Sequence, residues 1–445
     1  MPYIASLTGR IYHPLHRPMA GQDTSGDLAL APELVDAIVV YLQDEPATLR
    51  STALVSRTWC QASRPYLFGH IDISTAAEAP EIRRLADYMD GGNDIGEPAS
   101  PELPRYTHSL SIASDLVTME YAGVPTQRAV VDLLEVYARR GRLTRLNIYG
   151  ARRYPVAAEA KNAIEAILTT QPLTHVSLPG SELPVSLDLP HQLAAAALKI
   201  PSLVSLRLGG APRVFGPYAQ PRSIALKSLS WYGSLDMNLD LLRSPMCPLD
   251  LSALESFENL RPDELDDVAI FLRGTRAGSS INSLAIAAPL LLGHATESFD
   301  IGMTPRLRNL QVKLRHTSQN PFGLPWLCNF IRSPTAEGTV SRHPLEQLRL
   351  QVSLRSEHSM ALVLHSPAAA VAAGAQPYVP PGMPAWVVGW DRLDNALAHE
   401  AFYALRDVRV HFINGFKGEE NAEFLPELFP ELRRRGVLVT FSWAI

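Results

Sequence analysis

The stretch Leu143-Thr144-Arg145-Leu146-Asn147-Ile148 carries the pattern that decides the fold. Its apolar residues follow the spacing L-x-x-L-x-L, and the same short motif, called the repeat phrase below, recurs along much of the chain. Further copies begin at Leu173, Leu203, Leu226, Ile281, Leu307, Leu345 and Leu405, with a looser copy at Leu251 and an opening copy around Leu110. Because the last two apolar residues of a copy alternate with polar ones, each copy predicts a strand with one buried and one open face.

Amphipathic stretches that read as helices lie between the copies, at residues 130–137, 158–168, 191–198 and 263–272. Short strands that alternate with helices form a parallel sheet with the helices on its outer side. The recurring phrase resembles the strand signature of leucine-rich repeats, in which stacked units share a continuous core. The resemblance implies an α/β fold, an irregular leucine-rich-repeat-like solenoid over residues 71–445. An unrelated α/β fold with leucine-rich strands is the alternative.

The repeat interpretation predicts parallel strands in chain order, each with a buried central residue. These central residues are Leu146, Val176, Leu206, Leu229, Leu284, Leu310, Leu348 and Val408. Residues 436–441 predict a last strand. The Ala/Pro/Gly-rich stretch near 356–393 has no apolar periodicity, so it predicts a loop insertion into the repeats.

A different pattern precedes the repeats. It begins with one predicted apolar stripe at helical spacing, formed by Leu34, Ile38, Tyr41 and Leu42. Pro32 and Pro46 suit the first turn of a helix, because the N–H groups of that turn have no partner within the helix. Ser56 precedes a third amphipathic stretch and is a candidate N-cap. Residues 28–70 therefore predict three short helices, which bury too little surface to be robust alone.

Two segments of this region, Leu30-Ala31-Pro32-Glu33-Leu34 and Leu54-Val55-Ser56-Arg57-Thr58-Trp59, match those of F-box proteins in order and spacing. The chain thus resembles an F-box or F-box-like protein of the fungal type. The resemblance implies docking on the Skp adaptor of a cullin-type ubiquitin ligase. The matching adaptor-binding positions are Leu30, Pro32, Leu34, Ile38, Leu54, Val55 and Trp59. Ala31 and Thr58 depart from the family, which often has proline and a basic residue there. A helical cap on the following domain is the alternative.

Composition and missing motifs exclude several classes of function. The formal charge of −5 disfavours nonspecific binding to nucleic acid, and no apolar run is long enough to span a membrane. Cys60, Cys247 and Cys328 lack paired spacing, which disfavours disulfides and zinc and indicates a reducing compartment, cytoplasmic or nuclear. Without a phosphate loop, zinc-protease motif or serine-hydrolase motif, we predict no catalytic residues, no metal and no cofactor. Residues 1–27 predict a disordered tail.

The residues that flank the central apolar position of each strand should point to the concave side, where solenoids usually bind. In the eight clear copies five of these residues are basic and one, Asp407, is acidic. The basic residues are Arg145, Arg207, Lys313, Arg349 and Arg409. The looser copy at Leu251 would add one acid, Glu255. We therefore take the five basic residues as candidate substrate-binding residues, the last three forming a short ladder that suits an acidic or phosphorylated segment.

Together these features predict a substrate-recognition subunit of an SCF-type ubiquitin ligase rather than an enzyme. The F-box would bind the Skp adaptor, and through it a cullin, while the repeats would bind the protein to be ubiquitinated. Two alternatives stay open. One is a scaffolding protein that keeps the F-box shape without assembling into a ligase. The other is a repeat receptor that binds a small molecule between the solenoid and a partner.

Overall fold

The computed structural model describes the following residues: 30–75, 79–90, 102–118, 123–149, 157–178, 196–197, 200–208, 224–231, 235–244, 247–261, 264–289, 299–316, 323–331, 342–354, 390–413, 425 and 428–443. The tail predicted at 1–27 lies outside these ranges. The insertion predicted near 356–393 also lies outside them, except for residues 390–393. The chain divides into two compact units, Met1–Pro217 (unit 1) and Tyr218–Ile445 (unit 2).

Unit 1 begins with three short helices, α1 (Pro32–Tyr41), α2 (Pro46–Ala53) and α3 (Arg57–Leu67). Pro32 and Pro46 are the first residues of their helices, as the sequence predicts. Ser56 caps α3, because its hydroxyl oxygen accepts a hydrogen bond from the Trp59 backbone N–H at 3.5 Å. Helices α1 and α2 both pack against α3. The chain therefore forms three helices where the sequence predicts them.

Unit 1 continues with five parallel strands that lie side by side in chain order. They are β1 (His70–Ile73), β2 (Ser109–Ala113), β3 (Arg145–Tyr149), β4 (His175–Leu178) and β5 (Ser205–Leu208). The helices between them are α4 (Ala79–Asp90), α5 (Leu103–Tyr106), α6 (Gly123–Arg140) and α7 (Ala158–Thr170). Helix α6 packs against both α4 and α7, so the helices form a layer of their own. Strand β1 lacks the repeat phrase, and the sequence did not predict it.

Unit 2 has two sheets, both parallel. The smaller sheet pairs β6 (Ile224–Ala225) with β8 (Leu249–Asp250). The larger sheet contains, in chain order, β7 (Ser228–Trp231), β9 (Ser256–Asn259), β10 (Ser283–Ala287), β11 (Asn309–His316), β12 (Gln347–Leu354), β13 (Asp407–Ile413) and β14 (Leu438–Trp443). Its helices are α8 (Asp236–Arg243), α9 (Leu265–Thr275), α10 (Gly323–Ile331), α11 (Trp390–Leu397) and α12 (Pro430–Arg434). The last strand predicted by the sequence is β14.

The central residues predicted for the strands all lie in the core. None of the eight is more than 2% exposed. Their register also agrees with stacked repeats: Leu284 pairs with Leu310, Leu310 with Leu348, and Leu348 with Val408. The predicted α/β fold with parallel strands in chain order is therefore confirmed within each unit. None of the described helices combines the length and apolar character that crossing a bilayer requires.

One detail of the repeat prediction is wrong. The pattern places a looser copy at Leu251, but β9 is centred on Phe257, which pairs with Leu229 and Leu284. The copy therefore begins at Leu254, and its open-face acid is Glu258 rather than Glu255. The predicted register is wrong because Leu251 and Leu254 have the spacing of the first two apolar positions of a copy, whereas the aromatic residue Phe257 occupies the centre of the strand.

The helix predicted at 191–198 lies outside the described residues except for 196–197, which are helical.

Candidate protein-interaction surfaces

The three N-terminal helices share a small core. Val35, Val39 and Leu49 are 2%, 0% and 1% exposed. The partly buried residues packed around them are Leu42, Trp59, Ala62 and Leu67. Full burial of an aliphatic side chain contributes about 1.5–3 kcal/mol, so these few residues give the helices only a modest core of their own.

Helix α1 carries two apolar stripes, whereas the sequence predicts one. The inward stripe consists of Val35 and Val39 and is continued by Leu42, the residue that follows the helix. The outward stripe, which we call the α1 stripe, consists of Leu34, Ile38 and Tyr41, which are 54%, 38% and 87% exposed. The predicted single stripe is therefore wrong, because only Leu42 of its four residues packs on the core. Both sets follow helical spacing, so periodicity alone did not distinguish the inward set from the outward one.

The other candidate adaptor-binding residues divide into two groups. Leu30 and Pro32 are exposed at the start of α1. Leu54 and Val55, which follow α2, are 62% and 68% exposed. Trp59 instead packs against the helical core and is partly buried. In the isolated chain Trp59 thus contributes to the packing of the three helices. Contact of these residues with an adaptor stays a prediction.

Helix α3 is joined to the parallel strands of unit 1 by a short connection. Only Phe68 and Gly69 separate it from β1. A side chain at Gly69 would have no room, since its Cβ would lie 2.4 Å from the carbonyl oxygen of Pro65. The carbonyl oxygen of Gly69 also accepts hydrogen bonds from the N–H groups of His108 at 2.8 Å and Ser109 at 3.1 Å. The connection is therefore tied to strand β2 through its backbone.

The open face of the larger sheet in unit 2 carries rows of polar side chains. One row across β11 to β14 consists of Gln311, Arg349, Arg409 and Thr440. The next row consists of Lys313, Gln351, His411 and Ser442. Arg349 and Arg409 are thus direct neighbours on adjacent strands, while Lys313 lies one row further along. The three predicted cations form a staggered cluster rather than a straight ladder.

Arg409 has an acidic partner on its own strand. Its Nε donates a hydrogen bond to Oδ2 of Asp407 at 2.7 Å. This hydrogen bond and the negative charge of Asp407 raise the pKa of Arg409, so the guanidinium stays charged. Nη2 of Arg349 donates a longer bond to Oε1 of Gln347, at 3.4 Å. Both arginines are exposed, so the open face presents two adjacent guanidinium groups.

The remaining two candidate cations, Arg145 and Arg207, lie on the open face of unit 1. Arg145 pairs in register with Ser109 on one side and His175 on the other. Burial, reinforced by the positive charge of Arg145, lowers the pKa of His175. Arg207 lies on β5 and pairs with Ser177 of β4. The five candidate substrate-binding residues thus belong to two separate groups, one in each unit.

The structure reveals polar contacts that the sequence did not predict. The hydroxyl of Tyr149 donates to Oδ1 of Asp72 at 2.9 Å, although the two residues are 77 positions apart. In unit 2, Nδ1 of His411 lies 2.9 Å from the hydroxyl oxygen of Ser442. Only the strand register brings such residues together. The apolar-polar alternation of His70-Ile71-Asp72-Ile73 is the one sequence signal for Asp72.

The described residues include no group of three or more His, Cys, Asp or Glu side chains placed to hold a metal ion. Comparison with known proteins adds no assignment. No model of a known protein family matches the chain, and no protein of curated function matches it. Its function is therefore argued from its residues and their geometry.

Proposed function

We propose that this chain is a non-catalytic substrate-recognition subunit of an SCF-type ubiquitin ligase. Its three N-terminal helices act as an F-box and bind the Skp adaptor, which connects them to a cullin. Its parallel-strand units act as an irregular leucine-rich-repeat solenoid that binds a protein substrate through its open face. The chain itself makes and breaks no covalent bonds in this role.

The exposed α1 stripe is the observation that supports this proposal most. The module already has its core, built on Val35, Val39 and Leu49, and the α1 stripe takes no part in it. Leucine, isoleucine and tyrosine at helical spacing on one exposed face are typical of a helix that packs on a partner. Leu34 and Ile38 of this stripe also match positions that F-box proteins use for adaptor binding. Residue pattern and exposure therefore favour the same surface.

Adaptor binding is tested with the Leu34→Ala, Ile38→Ala double variant of the full chain. Interface anchors cost about 2 kcal/mol or more on truncation, so the double variant should lose at least about thirtyfold in affinity for the Skp adaptor. Alanine favours helix, so the melting temperature should stay close to that of the wild type. Affinity is measured with immobilised adaptor, and folding by thermal melting.

Val40→Ala is the matched control. Val40 lies on the same helix, is 46% exposed and is outside both apolar stripes. This variant should bind the adaptor like the wild type. A wild-type chain that does not bind the adaptor would refute the proposal, as would a double variant that binds as well as the wild type. In the first case the scaffolding alternative becomes the better interpretation. Co-purification of a cullin with the adaptor separates the two further, because only a ligase subunit assembles with both.

A further inference from the structure

The open face of unit 2 places two like charges next to each other. Arg349 on β12 and Arg409 on β13 are register partners. Neighbouring strands lie about 4.8 Å apart, and both side chains leave the same face of the sheet. Like charges directly opposite each other on adjacent strands are destabilising. This placement therefore does not stabilise the fold. A bound anion would relieve the repulsion between the two guanidinium groups.

One acid offsets the pair only in part. Asp407 is the single acidic side chain in the three open-face rows that cross β11, β12 and β13 between Asn309 and His411, all of which are described. Lys313 adds a further positive charge one strand and one row away from Arg349. The other residues of these rows are four amides and one histidine: Asn309, Gln311, Gln347, Gln351 and His411. The cluster thus has three basic side chains and one acidic one.

Asp407 also orients Arg409. It contacts the guanidinium through Nε, while the Nη groups of Arg409 make no hydrogen bond to any residue that the structure describes. The end of a guanidinium group with its two Nη atoms can donate two parallel hydrogen bonds to one carboxylate. Asp407 therefore holds the Nε side of the Arg409 guanidinium and leaves its two Nη groups available to a ligand.

We propose that Arg349, Arg409 and Lys313 bind an acidic segment of the protein substrate, whose carboxylates pair with the guanidinium groups. The proposal rests on the substrate-binding half of the proposed function and does not involve the adaptor surface. Gln311 and Gln351 beside the cluster can both donate and accept hydrogen bonds, which suits the backbone of an extended peptide. The net charge of −5 disfavours a nucleic acid as the anionic ligand.

Fluorescence anisotropy with labelled peptides and the full chain tests the ligand class. One peptide alternates glutamate with serine, a second replaces each glutamate by glutamine, and a third carries the same total charge as phosphoserine. We expect the glutamate peptide to bind and the glutamine peptide not to bind. Binding should weaken steeply between about 0.05 M and about 0.5 M salt, because screening shortens the reach of exposed charges to a few ångströms.

Four variants test the site itself. Arg349→Gln and Arg409→Gln should each weaken binding of the glutamate peptide by about tenfold, since each removes a charge-assisted pair of hydrogen bonds. Arg392→Gln is the control, because Arg392 is an exposed arginine on α11 and its loss changes the net charge equally. It should leave the affinity unchanged. Asp407→Asn keeps an oxygen for the Nε of Arg409 but removes the competing charge, so it should tighten binding by about threefold.

Several results would overturn this assignment. The glutamate and glutamine peptides could bind alike, or not at all. Equal weakening of binding by the three arginine variants would also overturn it, as would weaker binding by an Asp407→Asn variant that melts like the wild type. A phosphoserine peptide that binds far more tightly at equal charge would assign the site to phosphoryl groups instead of carboxylates. Adaptor affinity, measured on the same variants, should stay unchanged, so failure here and failure of adaptor docking are distinguishable.

Discussion

A buried carboxylate caps the last helix of unit 2, and we expect its removal to lower the free energy of unfolding. Asp394 lies on α11 and is 1% exposed. Its Oδ2 accepts a hydrogen bond from the Glu431 N–H at 2.8 Å, and its Oδ1 accepts one from the Leu432 N–H at 3.0 Å. Both N–H groups belong to the first turn of α12, where Phe429 at the N-cap position offers no capping side chain. Asp394 therefore caps α12 from a neighbouring helix.

The expected cost follows from these two hydrogen bonds. Each buried N–H group left without a partner costs about 1–3 kcal/mol. Removal of the carboxylate recovers part of its desolvation cost, because burial raises the pKa of Asp394 in spite of the two N–H donors. We therefore expect Asp394→Ala to lower the free energy of unfolding by about 2–4 kcal/mol. Asp394→Asn should cost about 1 kcal/mol, since the amide oxygen still accepts one of the two hydrogen bonds.

Denaturant unfolding measures the global effect, and hydrogen exchange over residues 428–443 measures the local one. Asp391→Ala is the matched control, because Asp391 is an exposed acid on the same helix and its loss should cost less than about 0.5 kcal/mol. Exchange at Glu431 and Leu432 should rise in the Asp394→Ala variant and stay unchanged in the control. An Asp394→Ala variant with wild-type stability and wild-type exchange would refute the capping argument.

Two further substitutions, one in each unit, test local constraints, and a third serves as a control. Burial lowers the pKa of His343, whose Nε2 lies 3.1 Å from the Thr304 carbonyl oxygen. As pH falls below about 6.5, His343 therefore takes up a proton in the unfolded chain before it does so in the folded one, and the folded state loses stability. His343→Gln should reduce the fall in melting temperature between about pH 7 and about pH 5. An equal fall in the variant and the wild type would contradict this role of His343. Gly69→Ala should destabilise unit 1 by about 2 kcal/mol, because its Cβ would lie 2.4 Å from the Pro65 carbonyl oxygen. Gly436→Ala meets open space at a φ of +78° and should cost only about 1 kcal/mol, so equal losses at both glycines would argue against the steric explanation.

The strand centres could be predicted because one physical requirement acts on every copy of the phrase. A residue such as Leu310 must pack against the helices while its neighbours Asn309 and Gln311 meet water, and this alternation is visible in the sequence. Strand β1 escaped prediction because it has only two apolar residues, Ile71 and Ile73. A strand of four residues is too short for apolar-polar alternation to be recognised in the sequence. Its strand conformation becomes evident only from its pairing with β2.

The orientation of α1 could not be predicted for a different reason. Valines and larger apolar residues occupy two faces of this helix, and both faces satisfy helical periodicity. The choice depends on which face meets Leu49 and Trp59 of the neighbouring helices, which is a tertiary contact that a single-sequence pattern does not contain. The apolar side chains that this contact leaves exposed are those of the α1 stripe, on which the proposed adaptor binding rests.

The register places the core residues and the proposed recognition residues of unit 2 on opposite faces of the same strands. Leu348 and Val408 fill the core, and truncation of such residues to alanine costs about 2–5 kcal/mol. Their exposed neighbour Arg349 contributes little to stability, so the open face can change its charge without opening a cavity. Asp407 is the exception, since it is 8% exposed and its Oδ1 has no hydrogen-bond partner among the described residues. A change at Asp407 therefore alters both the local stability of β13 and the charge of the proposed binding cluster, and its effect on peptide binding has to be measured together with its effect on melting.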